Sequence, residues 1–289
     1  MALLDPPGIL PTAMWAVTRA LLSDSKVMEQ AALKRLVSPD GLPKLDTYSN
    51  AVQGLRELAL VRLDGSAIAL AERVRVAKPS DFESFSAFLR SSVFALDANI
   101  DLALNREQRG PRDLTRALCW FLTQDPLGEP LTWAIAQGRQ TNALPKSAGL
   151  AVINDTRWNM LTHWAPALGL AEMPLSRAAG LIPDATRAVR AILREREVGQ
   201  TVTADAFIAD VKTHLPVLMD GQYAGALGMH TTDSLDAVTS HALLRLHDEE
   251  WLRLDRAADA ASVTVLKDAD GADGHRVISH VTYLGSPDA

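Results

Sequence analysis

The chain has 289 residues, 47% of them hydrophobic, one cysteine and a formal net charge of −6. This length suits two or three small cores, and a single thiol excludes an internal disulfide and a zinc site built on several cysteines. Neither a secretory signal nor an apolar run of about 18 residues is present, so we expect a cytoplasmic protein without a membrane partner.

Residues 1–78 predict three helices followed by a β-hairpin. Helical patterns run through "PTAMWAVTRALLSD" and "KVMEQAALKRLV", and Val27, Ala31 and Leu36 fall at roughly helical spacing in the second. Asp46 or Thr47 can cap a third helix. Two β-prone runs then flank an Asp-Gly pair, which is a strong hairpin signal. This order is typical of a winged helix-turn-helix domain, with "VRLD" as the first strand of its wing.

A helical connector is predicted over residues 79–108, and residues 109–180 predict a central helix-turn-helix-like module. The connector's apolar stripe consists of Phe82, Phe85, Phe88, Leu89, Val93 and Leu96. In the central module Trp158, Leu161, Trp164 and Leu168 share one helical face. For these tryptophans we expect core packing rather than a base-stacking surface.

Residues 181–289 repeat the pattern of the first module. Helices are predicted in "PDATRAVRAILRE", "TADAFIADVKTHLPVLM" and "DSLDAVTSHALLRLHDEE", with Leu235, Val238, Ala242 and Leu246 on one face of the last. β-prone runs around Asp-Gly then predict a longer wing. The predicted fold class is mainly α with small β-hairpin wings, as tandem winged helix-turn-helix-like modules joined by a helical connector.

Two stretches of the chain match at a constant offset of 191 residues (240 − 49) without a gap. The matching positions are Ser49, Ala51, Val52, Leu55, Leu60, Val61, Arg62, Leu63 and Asp64 against Ser240, Ala242, Leu243, Leu246, Trp251, Leu252, Arg253, Leu254 and Asp255. We interpret the match as a structural repeat. The alternative is chance similarity between two amphipathic helices that are rich in Leu and Arg.

No catalytic or metal-binding signature is found in the sequence. The seven histidines form neither an H-E-x-x-H motif nor an i, i+4 pair, and no Gly-x-Ser-x-Gly elbow occurs. The glycines of residues 221–228 have the wrong spacing for a dinucleotide fingerprint, and we interpret them as a flexible loop. The acidic residues around Asp248 are explained by a solvated helix end. We therefore expect no enzyme, no cofactor and no metal.

The charge is uneven along the chain. Residues 1–78 carry ten Lys/Arg against eight Asp/Glu (+2), residues 79–180 nine against ten (−1), and residues 181–289 ten against seventeen (−7). A tight, non-specific nucleic-acid binder would be basic, because phosphate neutralisation supplies most of that affinity. A nucleic-acid role must therefore depend on a local patch, and the N-terminal module is the mildly basic part.

Candidate nucleic-acid-binding residues follow from the exposed face of the third helix and from the wing with its sequel. They are Lys44, Thr47, Tyr48, Asn50, Gln53, Arg56, Arg62, Arg73, Arg75 and Lys78. The alternative is that these are ordinary solvated positions of a protein-binding winged helix. In the last module we expect an exposed face with Asp236, Thr239, Arg245 and Asp248, which would repel duplex DNA and favours a protein interface.

Three segments carry a resemblance to a known family: "LLDPPGILPTAMWAVTRAL", "RWNMLTHWAPALGL" and "RVISHVTYL". With these the chain resembles the DpdG proteins, which are accessory components of the bacterial Dpd system. That system places 7-deazaguanine bases in DNA and restricts unmodified DNA. The resemblance implies a cytoplasmic role among the restriction components and supplies no active-site residues.

These observations predict a non-enzymatic, DNA-associated adaptor in a DNA modification and restriction (antiviral defence) complex. Its expected partners are double-stranded DNA, bound weakly, and other proteins of the same operon or complex. Two alternatives stay open at this stage. One is a stand-alone winged-helix transcriptional regulator, and the other is an enzyme with a dispersed site.

Overall fold

The computed structural model describes residues 2–5, 8–24, 26–38, 46–104, 110–141, 143–175, 180–231 and 234–287. The described part contains eleven α-helices and ten short strands, with 45% helix and 14% strand. The predicted fold class, mainly α with small antiparallel β elements, is therefore confirmed.

The chain divides into two compact units, each made of segments that are separate in sequence. The first unit comprises Met1–Ile100, Arg106–Leu114 and Val152–Leu168, and the second comprises Asp101–Asn105, Thr115–Ala151 and Gly169–Ala289. The division of the chain at residues 78, 108 and 180 stays a prediction.

The N-terminal part contains four helices and one three-stranded sheet. In chain order these are α1 (Pro11–Ser23), β1 (Val27–Glu29), α2 (Gln30–Val37), α3 (Thr47–Glu57), β2 (Val61–Asp64), β3 (Ala67–Leu70) and α4 (Phe82–Val93). The predicted hairpin is β2–β3, and Gly65 turns it with φ +57°. β3 lies between β1 and β2 and is antiparallel to both.

A buried carboxylate holds the first residues of the chain. Asp113 accepts hydrogen bonds from the amides of Leu3 (3.3 Å) and Leu4 (2.9 Å). It is also bonded to the amide of Leu114 at 2.8 Å. Burial raises the pKa of Asp113, whereas the backbone donors lower it. Three amides thus compensate for the burial of one polar group.

The central part is helical and continues into a short strand pair. Its elements are α5 (Arg112–Phe121), α6 (Trp133–Arg139), α7 (Asp155–Ala167), β4 (Ala171–Glu172) and β5 (Ile182–Pro183). Trp158 is 4% exposed and Trp164 is fully buried, which confirms the prediction of core packing. The indole N–H of Trp164 donates to the carbonyl of Ile9 at 2.9 Å, so its polar atom is also satisfied.

The C-terminal part has the richest β structure. Its elements are α8 (Thr186–Leu193), β6 (Thr201–Thr203), α9 (Ala204–His214), α10 (Gln222–Ala226), α11 (Ala237–Asp248), β7 (Leu252–Asp255), β8 (Thr264–Lys267), β9 (His275–Ile278) and β10 (His280–Tyr283). β10 lies between β6 and β7, and β8 pairs with β9 as a separate hairpin. The predicted inward face of α11 is confirmed, since Val238, Ala242 and Leu246 are fully buried.

The N-terminal and C-terminal sheets have the same register. In β3, Ala69 faces Val27 on one side and Arg62 on the other. In β10, the third residue Thr282 likewise faces Thr201 and Arg253. Each first strand leads directly into the next helix, and each second strand directly follows the last helix. The order α-β-α-α-β-β is therefore present twice, with one small helix, α10, and the hairpin β8–β9 added in the second copy.

The ends of α3 and α11 are equivalent down to single hydrogen bonds. Ala59 and Glu250, 191 residues apart (250 − 59), have φ +51° and +59°. In the next residue, the amide of Leu60 bonds to the carbonyl of Leu55 (2.8 Å), and that of Trp251 to Leu246 (2.9 Å). These are left-handed helix ends of the Schellman type. The interpretation as a structural repeat is supported over chance similarity, because chance would not reproduce the register.

Three local predictions from the sequence are wrong. Val27–Glu29 is a strand rather than the start of a helix, because Lys26 adopts φ +62° and the edge of β3 pairs with the following residues. Leu33, not Leu36, is the buried residue of α2. Leu96 is 62% exposed since α4 ends at Val93.

A fourth prediction, that residues 221–228 form a flexible loop, is also wrong. Gln222–Ala226 forms α10, and the amides of Tyr223 and Ala224 both bond to the carbonyl of Pro216. A Cβ on Gly221 would lie 2.6 Å from that carbonyl oxygen, so a close backbone approach requires this glycine.

Among the described residues, no helix combines the length and the apolar composition that crossing a membrane requires.

The two helix ends lead to a matched prediction. We expect Ala59→Gly and Glu250→Gly each to raise the free energy of unfolding by about 0.5–1 kcal/mol, because glycine adopts positive φ without the Cβ penalty. Urea denaturation measures the change. The control is Ala209→Gly at an exposed position inside α9, which should lower stability by about 1 kcal/mol. Destabilisation by the first two substitutions would contradict the assigned helix ends.

Candidate nucleic-acid interface

Helix α3 buries one face and exposes a polar one. Ala51 and Leu55 are fully buried. Ser49, Gln53 and Arg56 are exposed, and their i, i+4, i+7 spacing places them on the opposite side. The helical spacing that buries the apolar face of α3 therefore exposes the amide of Gln53 and the guanidinium of Arg56 to solvent.

A groove of about 580 Å³ runs beside this exposed face. It is lined by residues from the start of α2, from α3 and from β2: Gln30, Tyr48, Ser49, Val52, Gln53, Arg56, Glu57 and Leu63. The hydroxyl of Tyr48 donates to the backbone carbonyl of Gln30 at 3.2 Å, and burial raises the pKa of the phenol. Tyr48 therefore lines the groove as a neutral group with a fixed orientation.

The groove brings three of the predicted residues together: Tyr48, Gln53 and Arg56. Amide and guanidinium groups are the donors that pair with base edges and phosphates, so this set has the required chemistry. Thr47 and Asn50 are half-buried on the same helix and do not line the groove, and Arg62 is exposed on β2. Lys44 lies outside the described residues.

Of the predicted residues after the hairpin, Arg73 and Arg75 form hydrogen bonds within the protein, and Lys78 is exposed. Arg73 donates to the carbonyl of Leu58 (3.1 Å) and to the hydroxyl of Ser92 (2.7 Å). Arg75 donates to the carbonyl of Leu70 (3.2 Å). Both guanidinium groups therefore form hydrogen bonds within the N-terminal unit, to carbonyls at the end of α3 and at the end of β3.

Sequence reasoning did not assign the other five lining residues to the site: Gln30, Ser49, Val52, Glu57 and Leu63. Gln30 is the first residue of α2, directly after the strand that the helical pattern concealed. Leu63 is 36% exposed although its neighbours in the repeat suggest a core strand. Strand alternation places Leu63 on the same face as the buried Val61, so no sequence signal indicated the exposure of Leu63.

The equivalent helix α11 differs from the expected exposed acidic face. Asp236 is 2% exposed and Thr239 is 1% exposed, so the prediction that both are exposed is wrong. The reason is capping: Asp236 is the N-cap residue of α11, and its carboxylate accepts the amide of Thr239 at 2.9 Å. Arg245 is bound by Asp184 (2.7 Å) and Glu249 (2.9 Å).

Within the part of the chain that the structure describes, no group of three or more His, Cys, Asp or Glu side chains could hold a metal ion.

The chain matches a known protein family. A family model described as DpdG-like matches residues 1–260 of the chain. No curated protein sequence and no solved structure matches it.

The contacts of Arg73 lead to a prediction that separates structure from binding. Arg73 is itself exposed, so Arg73→Ala should lower the free energy of unfolding by only about 0.5–1 kcal/mol, through loss of the hydrogen bonds to a backbone carbonyl and a hydroxyl. Lys78→Ala, at an exposed position, should change stability by less than about 0.5 kcal/mol. Urea denaturation of both variants checks this, and equal effects would contradict a structural role for Arg73.

Proposed function

The chain belongs to the DpdG-like family, and from this membership we propose that it is a non-enzymatic adaptor of a Dpd-type DNA modification and restriction system. In this role it acts in the cytoplasm, binds double-stranded DNA weakly and binds other proteins of the complex. The adaptor positions DNA and the partner proteins relative to each other and catalyses no reaction itself. The proposal needs no cofactor.

The adaptor is proposed to contact DNA and proteins through winged-helix modules. The repeated order α-β-α-α-β-β, with the last strand between the other two, supports this assignment. In winged helix-turn-helix domains the last helix enters the major groove, and hydrogen bonds to phosphates fix its register. By this correspondence α3 is the reading helix of the N-terminal module and β2–β3 is its wing.

The observation that carries the DNA part of the proposal is the open polar face of α3. Gln53 and Arg56 are exposed beside a groove whose remaining wall includes the half-buried Tyr48. Arginine pairs with guanine and glutamine with adenine through two hydrogen bonds each, and both groups also bind phosphates. Arg62 and Lys78 supply further exposed cations on the same segment of chain.

The binding is proposed to be weak because few cations are available. Residues 1–78 have a charge of only +2, and two of their arginines bond to backbone carbonyls. With about three phosphate contacts, affinity would fall roughly 40-fold between about 50 and about 200 mM salt. Linkage to partner proteins would then raise the effective affinity without new DNA contacts. The −7 charge of residues 181–289 fits a protein-binding role better than a DNA-binding one.

The test is fluorescence anisotropy of a short labelled duplex against the purified protein at about 50 and about 200 mM salt. Wild type should bind in the micromolar range and lose affinity steeply with salt. Gln53→Ala combined with Arg56→Ala should weaken binding at least about tenfold, because two groups that face the groove are removed. Arg73 and Arg75 stay unchanged, since their loss would weaken the fold.

The repeat supplies a matched control for this experiment. Arg62→Ala should weaken binding, whereas Arg253→Ala at the equivalent position of the C-terminal copy should not. Equal effects of the two would contradict the assignment of DNA to the N-terminal module. Absence of binding at low salt, also with the other proteins of the complex, would contradict the DNA role. Tight, sequence-selective binding by a symmetric dimer would indicate a transcriptional regulator instead.

A further inference from the structure

The two copies of the repeat differ most between their last two paired strands. Residues 65–66, two residues, join β2 to β3, whereas residues 256–279, twenty-four residues (279 − 255), join β7 to β10. The longer segment contains the hairpin β8–β9. Despite this difference, the first amides of α2 and α9 form equivalent hydrogen bonds: that of Gln30 donates to the carbonyl of Ser66 (2.9 Å), and that of Ala204 donates to the carbonyl of Ser279 (2.8 Å).

Strand β8 lies along the module's own helices. The amide of Leu235 donates to Val265 (2.8 Å), and the amide of Lys267 donates to the hydroxyl of Ser240 (3.0 Å). Near the start of α9, the hydroxyl of Thr264 donates to Asp205 at 2.7 Å, and Ser262 donates to the same carboxylate. These donors, Ser262 first, lower the pKa of Asp205. One strand is thus bonded to the beginnings of both α9 and α11.

The surface that β8 covers corresponds to the open face of the N-terminal module. Ser49 is exposed, whereas its equivalent Ser240 is fully buried. Tyr48 is half-buried, whereas its equivalent Thr239 is 1% exposed. The helix pair that is open in one copy is therefore occupied in the other.

The rest of the hairpin does not offer a surface suited to phosphate. A cleft of about 820 Å³ lies between α11, the turn of the hairpin and the residues after α5. Six aspartates line it against three cations: Asp125, Asp236, Asp248, Asp268, Asp270 and Asp273 against Arg245, Lys267 and Arg276. Arg276 is paired with Asp268 at 2.8 Å. Like charges would repel a duplex here.

We infer that hairpin β8–β9 is a built-in occupant of the C-terminal helix pair, which closes that face and confines DNA contact to the N-terminal module. The longer hairpin then acts as a cover of its own module and not as a DNA-contacting wing. The DNA part of this inference rests on the proposed function. The closure of the face does not, and it can be measured without DNA.

The first experiment compares two introduced thiols. S49C should react with a maleimide at least about tenfold faster than S240C, because labelling of a covered residue requires local opening. The native Cys119 is fully buried, and burial raises its pKa, so its background reaction should be slow. Equal rates would overturn the closure.

The S240C substitution could itself alter the packing of β8, so hydrogen exchange of the wild-type protein provides an independent measurement of the closure. The amides of Leu235 and Lys267, which bond to Val265 and Ser240, should exchange slowly. Fast exchange of both would overturn the closure as well.

The second experiment measures duplex binding by R256A combined with K267A, which removes the two exposed cations of the inserted segment. We expect an affinity within about twofold of wild type, against the loss in the Gln53 and Arg56 variant. A loss of more than about threefold would overturn the inference by making the hairpin a DNA contact. If wild type binds no DNA while the S240C thiol stays slow, the closure stands and the proposed function fails.

Discussion

The last strand of each repeat pairs on both of its sides, and the positions of the helices depend on that pairing. β3 is bonded to the strand that precedes α2 and to the strand that follows α3. One strand therefore sets where one helix begins and where the other ends, although these points are far apart in sequence. β10 does the same for α9 and α11. Such non-local pairing must overcome loop-closure entropy, and the buried helix faces supply the compensating apolar burial.

The sequence contained enough to predict the fold class and the repeat, because both depend on local patterns. A helix that ends in a left-handed residue and continues as "RLD" needs the same residue types wherever it occurs. Strand β1 was not predictable in the same way. Three residues carry too little periodicity to distinguish a strand from a helix start, and only the edge of β3 decides. The capping role of Asp236 was mistaken for exposure because an N-cap aspartate and a solvated one look alike in sequence.

The candidate interface was predictable where helical spacing decided it and not where tertiary contacts did. The polar face of α3 follows from the positions of Ala51 and Leu55, which must point inward. The engagement of Arg73 depends on carbonyl and hydroxyl groups that lie 15 and 19 residues away. The covering of Ser240 depends on a strand 27 residues further along. A local sequence pattern cannot predict contacts between residues so far apart in the chain. This is why equivalent positions of the two copies, such as Ser49 and Ser240, can be exposed in one copy and buried in the other.

The connection between the last two paired strands of each repeat can differ greatly in length, and this has a practical consequence. Strand ends of the same register enclose 2 residues in one copy and 24 in the other. The entropic free-energy cost of closing the longer connection is only about 2 kcal/mol higher, and the packing of a hairpin can offset it. In the N-terminal copy, a Cβ on Gly65 would meet no atom within 4 Å. The tip of that hairpin is thus a natural entry point for foreign sequence, where a fluorescent or affinity module could be grafted without disturbing the sheet beneath it.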